Sequence, residues 1–529
     1  MKKVLLPFFV CISMAVSAQQ SCPVIPLPAD FKAVAGSFEL SERSTIVFDQ
    51  PSLGPLAHYL QKELLKHKNL SLNIGQKKSA STILLKISTK KTAGIEAYEL
   101  NMKPEAITIS AYDHNGLFNG ISTFLQLARQ SATLSLSCWK ITDSPKYAWR
   151  GMMLDESRYF FGKEKVKQLL DWMAFYKLNR FHWHLTDQPG WRIDIKKYPK
   201  LALIGGIGNY FNPFAPAKYY SQDEINEIVR YAAERYIQVI PEIDMPGHAT
   251  AANMAYPEYS GGGSEKHPEF TFNPGKEATY QYLTNILKET DVLFPSQMIH
   301  IGGDEVAFGN KKWDTDPDVQ HLMKTQGLKD LKAVEHYFIK RMADSIAKMN
   351  NKMLAWDEVA EAELQPKNTI VFWWRHDRPN TLKTALNNGY AVVICPRIPL
   401  YFDFVQDAGD VSGRRWSAGE YSPIEKVYAF SDRQMAETAG HEQQIMGIQA
   451  NLWTETVNSN QRLDYLLFPR ISALAEAAWT PDVKKDFGDF QLRLKNHLEQ
   501  FKAAGIYYYN NKKTNPEPIP KKVSVSYLD

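Results

Sequence analysis

Met298-Ile299-His300-Ile301-Gly302-Gly303-Asp304-Glu305 is the stretch from which this chain is best read. A short apolar run has the character of a strand, and two glycines then let backbone and ligand come close before two adjacent carboxylates. An acid that protonates a leaving group needs a raised pKa, and a second negative charge nearby is one way to raise it. An isolated Asp-Glu pair is common on solvated surfaces. This pair gains weight because its setting, an apolar run with a polar end, recurs along the chain.

Beyond Pro145 that unit repeats eight times, with candidate strands at 150–154, 180–185, 237–243, 298–302, 352–356, 369–374, 391–395 and 444–452. Helical periodicity lies between them: Val166, Leu169, Leu170 and Met173 have the 0, 3, 4, 7 spacing of one buried face. The expectation is an α/β fold, a (β/α)8 TIM barrel, in which catalytic groups gather at the carboxyl ends of the strands. Those ends carry Asp155 and Glu156, then His184 and Asp187, then Glu242, Asp244 and His248, then Asp304 and Glu305. The second half supplies Trp356, Asp357 and Glu358, then Trp373, Trp374 and Arg375, then Tyr401 and Asp403, then Trp453 and Glu455. Aromatic faces among carboxylates suit a sugar, whose C–H faces stack on rings while its hydroxyls take hydrogen bonds. The few glycines and polar residues at 260–264 read as a mobile loop on that face.

Ahead of the barrel, from about 38 to 143, β-like runs (44–48, 83–87, 98–102, 106–111) alternate with helical patterns (53–65, 117–127), giving a small α/β accessory domain. Lys103-Pro104-Glu105 reads as a hairpin turn. The expected division is a leader at 1–18, an accessory domain at 19–143 and a barrel domain at 144–529. The chain's 529 residues, 44% hydrophobic, also exceed one ordinary domain.

Lys2-Lys3, an apolar run at 4–16 and Val16-Ser17-Ala18 read as a secretory signal, so the expectation is export to a periplasm or the medium. The run is too short to span a membrane, and no other long apolar segment is present, so no integral membrane segment is expected. A lipid anchor on Cys22 is the minor alternative, because Gln19 and Gln20 depart from a lipidation signal. Beyond the leader only Cys22, Cys138 and Cys395 remain, which makes neither a disulfide scaffold nor a zinc knuckle. A net charge of +4, two of it in the leader, gives no clustered basic face for nucleic acid.

With these residues in hand, the chain resembles glycoside hydrolase family 20, the exo-acting β-N-acetylhexosaminidases. The matching segments are Trp149-Arg150-Gly151 with Leu154-Asp155, His182-Trp183-His184-Leu185-Thr186-Asp187, Pro241 to His248, His300 to Glu305, Trp356-Asp357-Glu358, and Asn451 to Glu455, in family order. The stretch Tyr98 to Leu127 resembles the family's accessory domain. The resemblance implies substrate-assisted retention, in which the sugar's own 2-acetamido oxygen attacks the anomeric carbon. On that basis Glu305 is the general acid and base, Asp304 accepts the acetamido N–H, and Tyr401 holds its carbonyl. Arg150, Asp403 and Glu455 take sugar hydroxyls. Trp356, Trp373 (the alternative being Trp374) and Trp453 wall the pocket. Asp187, His248, Glu242 and His184 complete and support the site. No cofactor is implied, and the partner is a glycan with a terminal β-linked N-acetylhexosamine. One departure is the single acid Asp187 before Gln188, where the family often has a pair.

Two other chemistries remain open on the residues alone. Glu242 or Glu358 opposite Glu305 would make a retaining glycosidase with a protein nucleophile. His182 and His184, on one strand face, would make a metal-dependent barrel hydrolase. A third reading is a sugar-binding protein without chemistry, which predicts loss of Asp304 or Glu305. Both are present.

Overall fold

The computed structural model describes residues 21–75, 81–89, 94–416, 420–510 and 514–521. The expected leader lies outside them.

All eight anticipated strands form one closed parallel barrel. In chain order they are Trp149–Asp155, Arg180–His184, Gln238–Glu242, Met298–His300, Lys352–Trp356, Thr369–Trp373, Ala391–Ile394 and Ile445–Leu452. Their apolar residues alternate between two cores. Ile370, Phe372 and Trp374 point into the barrel, whereas Val371 and Trp373 face the surrounding helices. The helix Lys163–Phe175 buries the anticipated stripe Val166, Leu169, Leu170 and Met173 against the outer surface of the barrel. Strand register does the remaining positioning. Asp155 pairs with His184, His184 with Glu242 and Glu242 with His300, which sets four polar residues side by side at the carboxyl end.

The N-terminal domain is a seven-stranded mixed sheet carrying the helices Gly54–Lys68 and His114–Gln130. Tyr98–Lys103 and Ala106–Ala111 pair as the anticipated hairpin. Three of its strands, Asp30–Glu39, Asn73–Gly75 and Ser135–Asp143, are not marked in the sequence. Asp30–Glu39 alternates weakly because nearly all of it is at least partly exposed, so hydrophobic period could not reveal it. The domain is bonded to the barrel: buried Gln126 donates to the carbonyls of Ile25 and Phe175 at 2.6 and 2.7 Å. The expected loop at 260–264 instead begins a ribbon, with Ser260–Gly262 paired to Thr271–Phe272. Among the described residues no helix is long and apolar enough to cross a membrane. The three cysteines beyond the leader are buried and unpaired.

Candidate active site

The turn after Met298–His300 depends on backbone that only certain residues supply. Gly302 and Gly303 adopt φ of +66° and +83°, and a Cβ on Gly302 would lie 1.9 Å from Asp244 Oδ1. Glu305 itself is left-handed at φ +54°, as is His248 at +55°. Such conformations are uncommon for non-glycine residues and gather at functional sites. Their effect is to bring Asp304 and Glu305 to the same mouth at different depths. The Asp304 side chain is 12% exposed and that of Glu305 32%.

Both acids line a cavity of about 400 Å³ at the carboxyl end of the barrel. Three tryptophans and a tyrosine make the walls. Trp374 stacks on Tyr401 at 6.2 Å between centroids, and Trp453 lies 5.8 Å from Trp356. Trp356 is fixed from behind, donating Nε1–H to Glu242 at 2.9 Å. Glu455 lines the far side, and Arg414 reaches across to it and to the buried Asp403, whose Oδ2 is 3.5 Å from Arg414 Nε. Several acceptors here lack a hydrogen-bond partner among the described residues: Asp304 Oδ1, Asp403 Oδ1 and Glu455 Oε2. Buried polar atoms are normally satisfied, so those of Asp304 and Glu455, which line the cavity, are open to donors from a ligand, whereas Asp403, expected to bind the sugar, is buried and not among the lining residues.

Behind the acids runs a connected chain of charges. Glu242 accepts from His184 Nδ1 at 2.6 Å, His184 Nε2 reaches Asp187 at 2.9 Å, and His248 Nδ1 reaches the other Asp187 oxygen at 3.0 Å. His248 Nε2 then faces Asp304 and Glu305 at 3.6 and 3.7 Å. Burial alone would raise the pKa of Asp187, yet Arg158 and His248 hold its carboxyl well below the usual range. Burial would likewise lower His248, but Asp187 and Asp304 push it up to about 9, leaving a cation beside the catalytic pair. Burial pushes Glu305 up, as an acid catalyst needs, and pushes Asp304 up to about 8 against the pull of His248.

Two sequence expectations are corrected. Arg150 is not in the pocket. It is the second residue of a seven-residue strand, roughly 16 Å from the carboxyl end. There it pairs with Glu96 of the N-terminal domain at 2.6 Å and donates to the Lys177 carbonyl. Arg158 takes the pocket position, 2.7 Å from Asp187 and 4.9 Å over the Trp453 ring. It stands three residues past the strand end at Asp155, so the strand-end rule could have found it. Trp373 faces outward, its Nε1–H directed at the Arg378 carbonyl, and Trp374 lines the pocket. Asp304, Glu305, Tyr401, His248, Trp356, Trp453 and Glu455 all line the cavity; Asp187, Glu242 and His184 stand behind it. Arg397, Arg415 and Trp416 at its outer edge were not anticipated.

The paired histidines face the barrel interior, but their nitrogens are committed. Burial alone would lower the pKa of His184, yet Glu242 and Asp187 push it up to about 10, and its two ring nitrogens face those two carboxylates at 2.6 and 2.9 Å. His182 Nδ1 accepts from Gln449 at 3.0 Å and its Nε2 lies 2.9 Å from Glu242. Glu242 is fully buried among three histidines and Trp356, with no open face toward a sugar. Glu358 is tied to Trp374 Nε1 and Arg375.

Comparison with known proteins accords with this geometry. Residues 147–482 match the glycosyl hydrolase family 20 catalytic domain, and residues 21–144 match domain 2 of that family. A beta-hexosaminidase of Porphyromonas gingivalis is 34% identical over 92% of this chain, which spans 64% of that relative's length. One from Vibrio furnissii is 34% identical, covering 85% of this chain and 76% of its own. The crystal structure of an exo beta-N-acetylglucosaminidase from Vibrio harveyi in complex with N-acetylglucosamine superimposes with a TM-score of 0.85 at 32% identity, covering 93% of this chain and 79% of that one. The chain therefore belongs to glycosyl hydrolase family 20, a glycoside hydrolase barrel preceded by that family's domain 2.

Proposed function

We propose that this protein is an exo-acting, retaining β-N-acetylhexosaminidase that removes terminal N-acetylglucosamine or N-acetylgalactosamine through the sugar's own acetamido group. The observation that carries this reading is the unpartnered, buried Asp304 Oδ1 inside a box of Trp356, Trp374, Tyr401 and Trp453, with Glu305 at the more open edge. An acetamido N–H donated to Asp304 orients the carbonyl oxygen for attack on the anomeric carbon. The glycosidic C–O bond breaks as the new C–O bond forms, and Glu305 passes its proton to the departing oxygen. The oxazolinium so formed carries positive charge, which the Asp304 carboxylate stabilises while accepting the acetamido N–H. Tyr401 holds the carbonyl from its other side. Glu305, now a carboxylate, takes a proton from the water that opens the ring.

Arg158, Asp403 and Glu455 take the hydroxyls at the closed end, which fits an exo-acting enzyme. The full burial of Cys22 supports an exported form without a lipid on that thiol. The test is nitrophenol release from matched aryl β-glycosides of N-acetylglucosamine, N-acetylgalactosamine and glucose, each with and without chelator. Turnover confined to the acetamido sugars and indifferent to chelator is expected. Turnover of the glucoside overturns substrate assistance, and loss on chelation restores the metal-dependent reading.

A further inference from the structure

A second cavity, of about 500 Å³, lies where the two domains meet and shares no lining residue with the catalytic pocket. Its walls come from the helices Gly54–Lys68 and His114–Gln130 of the N-terminal domain, Lys163–Phe175 of the barrel and the C-terminal helix Phe487–Ala503. Arg129 lies along one side, its guanidinium 4.5 Å from the Phe175 ring centroid and 5.6 Å from that of Trp172. The acids around it are already engaged. Glu63 faces His67 at 3.2 Å, while Asp171 accepts from Tyr231 and Arg235 and meets Lys66 at 3.4 Å. Arg129 forms no ion pair or hydrogen bond among the described residues, and Glu63 is the main countercharge acting on it, so its guanidinium N–H groups are left open to the cavity. The Gln500 amide lines the same space, and both its nitrogen and its oxygen are buried without a partner.

These features specify a ligand class. A planar guanidinium with free N–H groups matches a carboxylate in two-point geometry. An amide offering one donor group and one acceptor matches neighbouring hydroxyls. Tyr59, Trp172 and Phe175 supply ring surface in the same cavity, and the volume exceeds what a simple inorganic anion needs. We propose that this interdomain cavity binds a carboxylate-bearing sugar such as a hexuronate, its carboxylate on Arg129 and its hydroxyls on Gln500. The inference is independent of the catalytic reading, since it uses neither Asp304 nor Glu305.

Calorimetric titration of the whole mature protein with sodium glucuronate, glucose, sodium acetate and sodium phosphate, at constant ionic strength, tests it. Saturable glucuronate binding is expected, with acetate weaker and glucose undetected. Arg129→Gln and Gln500→Ala should each weaken glucuronate by about tenfold, while aryl-glycoside hydrolysis stays at the wild-type rate. If Arg129→Gln does not fold, Gln500→Ala carries the comparison. The proposal is overturned by absence of saturable glucuronate binding, by phosphate binding more tightly than glucuronate, or by wild-type glucuronate affinity in a folded variant.

Discussion

The two ends of the barrel are both dense in buried charge, but they use it differently. At the amino-terminal end Arg150 pairs with Glu96, Lys177 lies 3.8 Å from Asp143, and Arg493 grips Glu476 through two nitrogens at 2.6 and 2.7 Å. Asp143 also accepts from Tyr98 and Trp479. These charges meet their opposites, the first two pairs across the domain boundary, although Arg180 at the same end keeps a buried Nε without a partner among the described residues. At the carboxyl end carboxylates crowd, and Asp304, Asp403 and Glu455 keep acceptors with no partner among the described residues. Unmatched acceptors cost stability in the free protein, and a ligand that supplies donors offsets that cost. Burial alone thus does not distinguish structure from function; whether the buried group is satisfied does.

The largest effects should fall on the unmatched end. Glu305→Gln should lower kcat/KM by about 10³-fold or more on β-linked disaccharides and far less on nitrophenyl glycosides, whose leaving group needs little protonation. Equal losses on both would remove Glu305 from the acid role. Asp304→Ala should cost about 10²- to 10³-fold on every leaving group; near-normal rates would end the substrate-assisted reading. The two arginines sharpen the contrast directly. Arg158→Ala should lower kcat/KM of the folded enzyme and also cost stability by leaving Asp187 without its 2.7 Å partner, whereas Arg150→Ala should cost about 3–5 kcal/mol of stability by leaving Glu96 unpaired while folded enzyme keeps its kcat/KM. The reverse result would return Arg150 to the pocket.

The adjacent tryptophans give a smaller test. Trp374→Ala should raise KM and lower kcat/KM by at least about tenfold through loss of the pocket wall. Trp373→Ala should instead destabilise by about 3 kcal/mol as a core cavity, with little change in the kinetics of folded protein. Smallest is the pH effect of His248. Its pKa rises from 6.5 to about 9 on folding, so its contribution is complete below about pH 6.5 and lost as pH rises through 9. The expected size is on the order of 2–3 kcal/mol. Chemical denaturation at pH 6 and pH 9.5 should show a smaller pH difference in His248→Gln than in wild type; an unchanged difference would locate the titration elsewhere.

The eight strands were legible because each is a short apolar run ended by polar residues, and a barrel needs nothing more to close. The place of Asp304 and Glu305 in the pocket was legible for the same reason, being fixed near a strand end by backbone spacing. Arg150 was misassigned because its motif is contiguous with Asp155, although a strand carries its first and last residues to opposite ends of the barrel. Trp373 and Trp374 could not be separated because both chain neighbours are aromatic and only the register with Phe372 says which one points inward. Arg415 and Trp416 come from a long connection, whose path depends on tertiary contacts rather than on any period in the sequence, whereas Arg397, three residues past Ile394, was within reach of the strand-end rule.

The sequence by itself determined the fold class, the two-domain order and the acids that stand at the strand ends, because hydrophobic period and local turn chemistry act over a few residues. Only the tertiary structure decided which arginine and which tryptophan line the pocket. It alone also showed that His184 and Glu242 are buried behind the pocket lining, bonded to each other. Those outcomes turn on distances between residues far apart in the chain, set by strand register, domain docking and the competition of buried charges for partners.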